Sequence, residues 1–448
     1  MGGPAPPTVG PEEFTVRRLV TRPWMLVLLR ARSRWDLRRA GFRSRYRYYG
    51  GVVAFAVGIA GCAGTPLALT AGVVTGAIGL LLSALLLVPD WIATRRAPVT
   101  IEPVTRPATT IVPGAGGRLV RHPGSLRELA VVWDAIDAVL PRSTAGVSWQ
   151  PRAETLPPRL ARHRPAVLAA RATATSYDGA LVRQGADLTP DGLAGGGPIP
   201  LGRTTYFNLI CSNYLSNSRI VDRATGSVLV DGAELIRDRA GGLEPLERSG
   251  LANGIGISTV AFTADGRLVV PWQDGRSMSS AGLIAPSGSG SVEPPDLGGT
   301  TGWRRRPVAA EGTLLREVVR RAMERELVEE CHIGYADIEW TEVLGYFRWV
   351  TKGAKPEYVG VTRLRLRADQ FAGLDVRIEE TPYVQRLSFD VEVSFDKLRD
   401  HPETLRCLPA GRLREIASMP LFMCLRALGR DLRRPDDVGE RLRALASG

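Results

Sequence analysis

The longest feature in the hydrophobic pattern is a run without a charged side chain at residues 50–88. One helix needs about 20 apolar residues to cross roughly 30 Å of hydrocarbon, so the run has the length of one long or two short spans. Gly64, Thr65 and Pro66 interrupt it near its middle, where proline cannot continue a helical hydrogen-bond ladder. The pattern therefore predicts a two-helix transmembrane hairpin within residues 48–92, with spans near 49–64 and 68–88. Tyr46, Tyr48, Tyr49 and Trp91 stand where interfacial aromatics are expected. Arg38, Arg39, Arg43, Arg45 and Arg47 precede the run, and Arg95 and Arg96 follow it. Basic flanks on both sides predict an even number of crossings, a multi-pass inner-membrane location and both termini in the cytoplasm. The run begins too late and extends too far for a cleaved signal peptide.

The rest of the chain divides around this segment. Residues 1–47 read as a basic cytoplasmic segment in which Trp24, Met25 and Leu26 among arginines predict a helix on the bilayer or against its own domain. Residues 93–145 read as a linker plus one short amphipathic helix. That helix opens on a Ser125 and Glu128 capping box, carries Leu126, Leu129, Val132, Trp133, Ile136 and Leu140 at helical spacing, and stops at Pro141. Residues 146–250 alternate β-like runs, such as 204–211 and 227–230, with glycine-rich turns, and predict a β-rich elaboration of the following domain. In the expected core, 251–430, apolar runs at 256–262 and 267–272 flank an Asp265-Gly266 turn, the pattern of a β-hairpin. A glycine- and serine-rich loop, a helix over 312–333 and strands at 341–349 and 357–366 follow. Residues 431–448 read as a tail.

Composition narrows the chemistry. At 448 residues the chain is long enough for two or three folding units. Its net charge of +12 comes almost wholly from arginine and is concentrated before residue 50. A basic block against an apolar run points to anionic lipid, with the bilayer as partner through residues 48–92, rather than to nucleic acid. The five cysteines, Cys62, Cys211, Cys331, Cys407 and Cys424, are scattered and include no C-x-x-C pair, which argues against a disulfide framework or a structural zinc site. Nothing in the pattern excludes a homo-oligomer.

The candidate chemistry lies in the 312–333 helix. At about 100° per residue, Glu326, Glu329 and Glu330 share one helix face. Such a face is either solvated or, where it meets a cleft, neutralised by a hard cation such as Mg²⁺ or Mn²⁺. Arg325 stands beside the glutamates and can orient a carboxylate through a bidentate pair.

These residues resemble the Nudix box, G-x5-E-x7-R-E-U-x-E-E-x-G-U with U a bulky aliphatic. Glu317 is followed, after seven residues, by Arg325, Glu326, Leu327, Val328, Glu329 and Glu330, and Ile333 closes the pattern. The resemblance covers about 250–430 and implies an α+β sandwich, a mixed sheet between helices, preceded here by the transmembrane hairpin. It implies that Glu326, Glu329 and Glu330 bind the catalytic metal, one of them serving as general base, that Arg325 orients them, and that Glu317 supports the loop and helix. Two departures affect the flanking loops. Glu311 and His332 occupy the two glycine positions of the pattern, and Gly312 is displaced by one residue. The Gly288-Ser289-Gly290 loop is the candidate to take over part of that role.

The activity implied is Mg²⁺- or Mn²⁺-dependent hydrolysis of a nucleoside diphosphate linked to another moiety, at the cytoplasmic face. The alternative is a nucleotide-sensing membrane effector with a non-catalytic domain, similar to the membrane-anchored Nudix-like domains associated with bacterial cyclic-oligonucleotide systems. The ligand expected in either case is a nucleotide-derived small molecule. Arg316, Arg320 and Arg321 are phosphate-contact candidates on the same helix, and Glu379 and Glu380 are weaker candidates for an extra ligand or base.

Overall fold

The computed structural model describes residues 16–18, 23–41, 81, 99–104, 111–125, 127–153, 155–172, 176–195, 197–273, 282–301, 306–310, 312–373 and 384–447. Its centre is a nine-stranded mixed sheet. The strands are β1 (Val16–Arg18), β2 (Arg118–Arg121), β3 (Leu129–Val132), β4 (Gly256–Phe262), β5 (Leu268–Gln273), β6 (Gly288–Ser291), β7 (Ile338–Trp349), β8 (Lys355–Leu364) and β9 (Val384–Val391). They run in the order β1-β9-β5-β4-β8-β7-β3-β2, with β6 pairing the first half of β4. The β4–β8 pairing is parallel and the others are antiparallel. Parallel strands are buried on both faces, and every residue of β4 is buried accordingly.

Among the described residues, two long helices pack on the sheet. One is α2 (Leu315–Cys331), which follows α1 (Pro23–Gly41) in the chain, and the other is α3 (Met419–Asp431). Leu315, Val318, Val319, Ala322 and Met323 recur at three- and four-residue spacing along α2 and are fully buried with Ile257, Val343 and Tyr358 of the sheet. Burying a Val or Leu side chain contributes roughly 1.5–3 kcal/mol, so this stripe fixes the rotation of α2 and thereby its polar face. Leu421, Phe422 and Leu425 of α3 pack with Val260, Phe262 and Val361 in a separate core cluster. The expected hairpin at Asp265-Gly266 is present, Gly266 supplying a φ of 71°.

The transmembrane hairpin, and with it the multi-pass membrane location, is corrected. No helix among the described residues is long and apolar enough to cross a membrane. The expected spans, 49–64 and 68–88, lie outside the described residues except for Leu81, as does nearly all of the bilayer contact assigned to 48–92. The long N-terminal helix α1 carries Arg30, Arg32, Arg34 and Asp36 within its length, a charge density incompatible with hydrocarbon. It packs instead on its own protein: Ser33 is buried, and Asp36 accepts the Asp178 N–H at 3.0 Å.

Other expectations also change. The helix expected between Ser125 and Pro141 is strand β3 followed by a short helix, Asp134–Val139. Leu129, Ala130, Val131 and Val132 are all buried, and the last three pair with 347–349 of β7, so the contiguous apolar run outweighs its helical spacing. The run 204–211 is the end of strand Ile199–Thr205 and then the helix Tyr206–Ile210, which Thr205 caps through Asn208 N–H. The 431–448 tail contributes Val438, Leu442 and Leu445 to the α3 core. Residues from 146–250 share clusters with α2 and with β3, which makes that region an extension of the same core.

Candidate functional site

The C-terminal half of α2 meets the backbone of β6. Gly288 and Gly290 permit this approach. A Cβ on Gly288 would lie 2.7 Å from Leu327 N and 2.8 Å from its Cα, and one on Gly290 would lie 2.1 Å from Glu326 Oε1. Between them Ser289 donates its backbone N–H to Glu330 Oε2 at 2.8 Å. Glu326 and Glu330 are thereby buried against the strand, whereas Glu329 keeps 32% of its side chain in solvent.

Arg325 sits among these groups. Its Nη1 donates to Glu326 Oε1 at 2.9 Å and to Glu329 Oε2 at 3.2 Å. Its Nε and Nη2 form a two-pronged pair with Asp296, each bond 3.1 Å, and Nη2 also reaches the Ser291 carbonyl at 2.9 Å. Burial lowers the pKa of this guanidinium, but Glu326, Asp296 and Glu293 outweigh it and hold the value above the ordinary one. Burial also raises the Glu293 carboxyl, with Asp296 and Glu329 adding and Arg325 opposing. Tyr335, just past the helix and largely exposed, has its hydroxyl raised by partial desolvation and then by Glu329.

Asp296 was not singled out by its sequence pattern, although a signal for it exists. It closes a capping box with Glu293 around Pro294 and Pro295, accepting the Glu293 N–H at 2.8 Å, and the Glu-x-x-Asp spacing is readable. What the spacing does not disclose is that the same carboxylate turns toward Arg325.

Glu317 is not part of this assembly. It lies in the first turn of α2, nine residues before Glu326, which is about 13 Å along the axis and half a turn around it. Gly312 adopts a φ of 72° just before the helix, and Leu315 N–H is satisfied by the Ala145 carbonyl at 2.9 Å. His332, where the pattern has glycine, is left-handed at φ 59° and ends the helix, so the backbone demand survives although the residue differs. Arg320 pairs with Glu324, and Arg321 donates to the Asp296 carbonyl at 2.9 Å, so neither is committed to an external phosphate. Glu311, Glu379 and Glu380 lie outside the described residues. Cys211, Cys331, Cys407 and Cys424 are buried free thiols, and Cys62 lies outside the described residues.

The donor set is all carboxylate oxygen, which matches a hard divalent cation in chemical type. Among the described residues, no group of three or more His, Cys, Asp or Glu side chains stands ready to hold a metal ion. Arg325 Nη1 engages two of the three glutamates. A cation at this position would compete with that nitrogen. The chain matches no family model and no curated protein.

Proposed function

We propose that the chain is a Nudix-type, metal-dependent hydrolase acting on a nucleoside diphosphate linked to another moiety. The observation that supports this reading is the gathering of Glu326, Glu329, Glu330 and Arg325, in the spacing of the Nudix box, against the glycine backbone of β6. Glu326, Glu329 and Glu330 would hold Mg²⁺ or Mn²⁺. The bound cation would supply Lewis acidity toward the pyrophosphate and make an attacking water more acidic. Ser289 N–H fixes the Glu330 carboxylate, and Arg325 orients Glu326 and Glu329 until a cation takes them from its Nη1. Glu329, the most exposed of the three, is the carboxylate best placed to accept a proton from water.

The test is release of nucleotide from a panel of nucleoside diphosphate derivatives by the full chain with Mg²⁺, beside Glu329→Gln. Turnover by the wild type that is lost in the variant is expected. Equal activity in both would sink the assignment of Glu329.

A second reading, nucleotide binding without turnover, is favoured by one observation: Arg325 already engages two of the three carboxylates. Nucleotide binding by calorimetry, with no product from any member of the panel, distinguishes it.

A further inference from the structure

We propose that Asp296 is a positioning residue for the carboxylate site: it anchors the Arg325 guanidinium so that Glu326 and Glu329 can be yielded to a divalent cation. The inference rests on the metal reading above and adds a residue outside the box that controls cation affinity.

The two edges of the guanidinium have different duties. Nε and Nη2 hold Asp296 at 3.1 Å each, and Nη2 also holds the Ser291 carbonyl. Nη1 alone serves Glu326 and Glu329. A planar fork paired along one edge is fixed in position and orientation, because neither bond can bend without straining the other.

Asp296 is itself held firmly. Its side chain is 4% exposed, its Oδ2 accepts the Glu293 N–H, its own N–H donates to the Glu293 carbonyl at 3.0 Å, and its carbonyl accepts from Arg321 Nε at 2.9 Å. The turn then leaves through Gly298 at φ 80°, where a Cβ would stand 2.7 Å from Arg321 Nη1. The 293–298 turn is thus clamped to α2 by two arginines, one turn of the helix apart.

The consequence concerns charge balance. With Asp296 in place, Arg325 retains a buried partner when a cation takes Glu326 and Glu329, so only the Nη1 bonds are given up. Without that carboxylate the guanidinium loses its paired edge and leans more heavily on Glu326 and Glu329, with Glu293 the remaining nearby carboxylate, so a cation must take the two glutamates against a stronger hold. Removing the Asp296 charge should therefore weaken cation binding although Asp296 is not a ligand. Outer residues that orient ligands typically change metal affinity by about 10–100-fold.

The experiment is a Mn²⁺ titration of the full chain, followed by electron paramagnetic resonance. It compares wild type, Glu329→Gln, Asp296→Asn, Arg325→Met and the Asp296→Asn, Arg325→Met double variant. Expected are Mn²⁺ binding in the wild type that depends on Glu329, and a loss of about tenfold or more in Asp296→Asn. That loss should vanish when Arg325 is already Met, a non-additivity that a merely structural role for Asp296 would not produce. Asp296→Glu, which keeps the charge but lengthens the arm, should fall between wild type and Asp296→Asn. It carries the same test if Asp296→Asn does not fold. Unchanged affinity in the Asp296 variants, with Glu329→Gln still impaired, overturns the proposal and leaves the metal site standing. Absence of Glu329-dependent Mn²⁺ binding in the wild type overturns both.

Discussion

Gly290 lies under the Glu326 carboxylate so closely that a methyl group on it would stand 2.1 Å from Oε1, whereas the obstacle at Gly288 is the backbone of Leu327. The two contacts predict different failures. A carboxylate at the end of a side chain can swing aside, but helix backbone cannot. Gly288→Ala is therefore expected to cost about 1–3 kcal/mol of stability, read from urea denaturation. Gly290→Ala should cost less and instead displace Glu326, so that Mn²⁺ affinity falls more than stability does. Equal stability losses with unchanged Mn²⁺ affinity in Gly290→Ala would contradict this division.

Glu293 supplies a pH signature. Burial raises its carboxyl above the ordinary value of 4.5, with Asp296 and Glu329 adding. A carboxyl that holds its proton more tightly when folded than unfolded stabilises the fold most below its unfolded value. That contribution is lost as pH rises through the folded value. The stability of the wild type relative to Glu293→Gln should consequently decline as pH rises above the ordinary carboxyl value of 4.5. Urea midpoints across that range measure it, and a difference that rises with pH refutes the assignment.

Lys355 and Glu357 form a pair 2.7 Å apart with both side chains 4% exposed, next to Gly256 on the neighbouring strand. Breaking a buried pair from one side strands a charge, whereas removing both charges need not. Lys355→Met is expected to destabilise the fold by about 3–5 kcal/mol, and adding Glu357→Leu should recover much of the loss. Chemical denaturation of the single and double variants decides between this and an ordinary cavity effect, for which the double would be the worse of the two.

How much of this was legible depends on the range of the interaction. The α2 helix could be read because Leu315, Val318, Val319, Ala322 and Met323 repeat at its period, and the glutamates' common face follows from the same spacing. The β4–β5 hairpin could be read from a local turn. Leu129 to Val132 could not be assigned by spacing, because a short apolar run fits a helix and a fully buried strand equally well until its partner, Phe347 to Trp349, is known. The Arg325–Asp296 pair was hidden for a related reason. It joins residues 29 positions apart, across a turn whose direction no local pattern specifies. The length of the uncharged run at 50–88 suggested membrane spans, and the described helix nearest to it, α1, is stopped from spanning by its own arginines.

The most direct test of the central claim is the anomalous difference map from crystals of the protein soaked in Mn²⁺. The expected result is a peak about 2–2.5 Å from carboxylate oxygens of Glu326, Glu329 and Glu330, with Arg325 still paired to Asp296. A map without density at those carboxylates under saturating Mn²⁺, or with Arg325 still bridging Glu326 and Glu329, would contradict it.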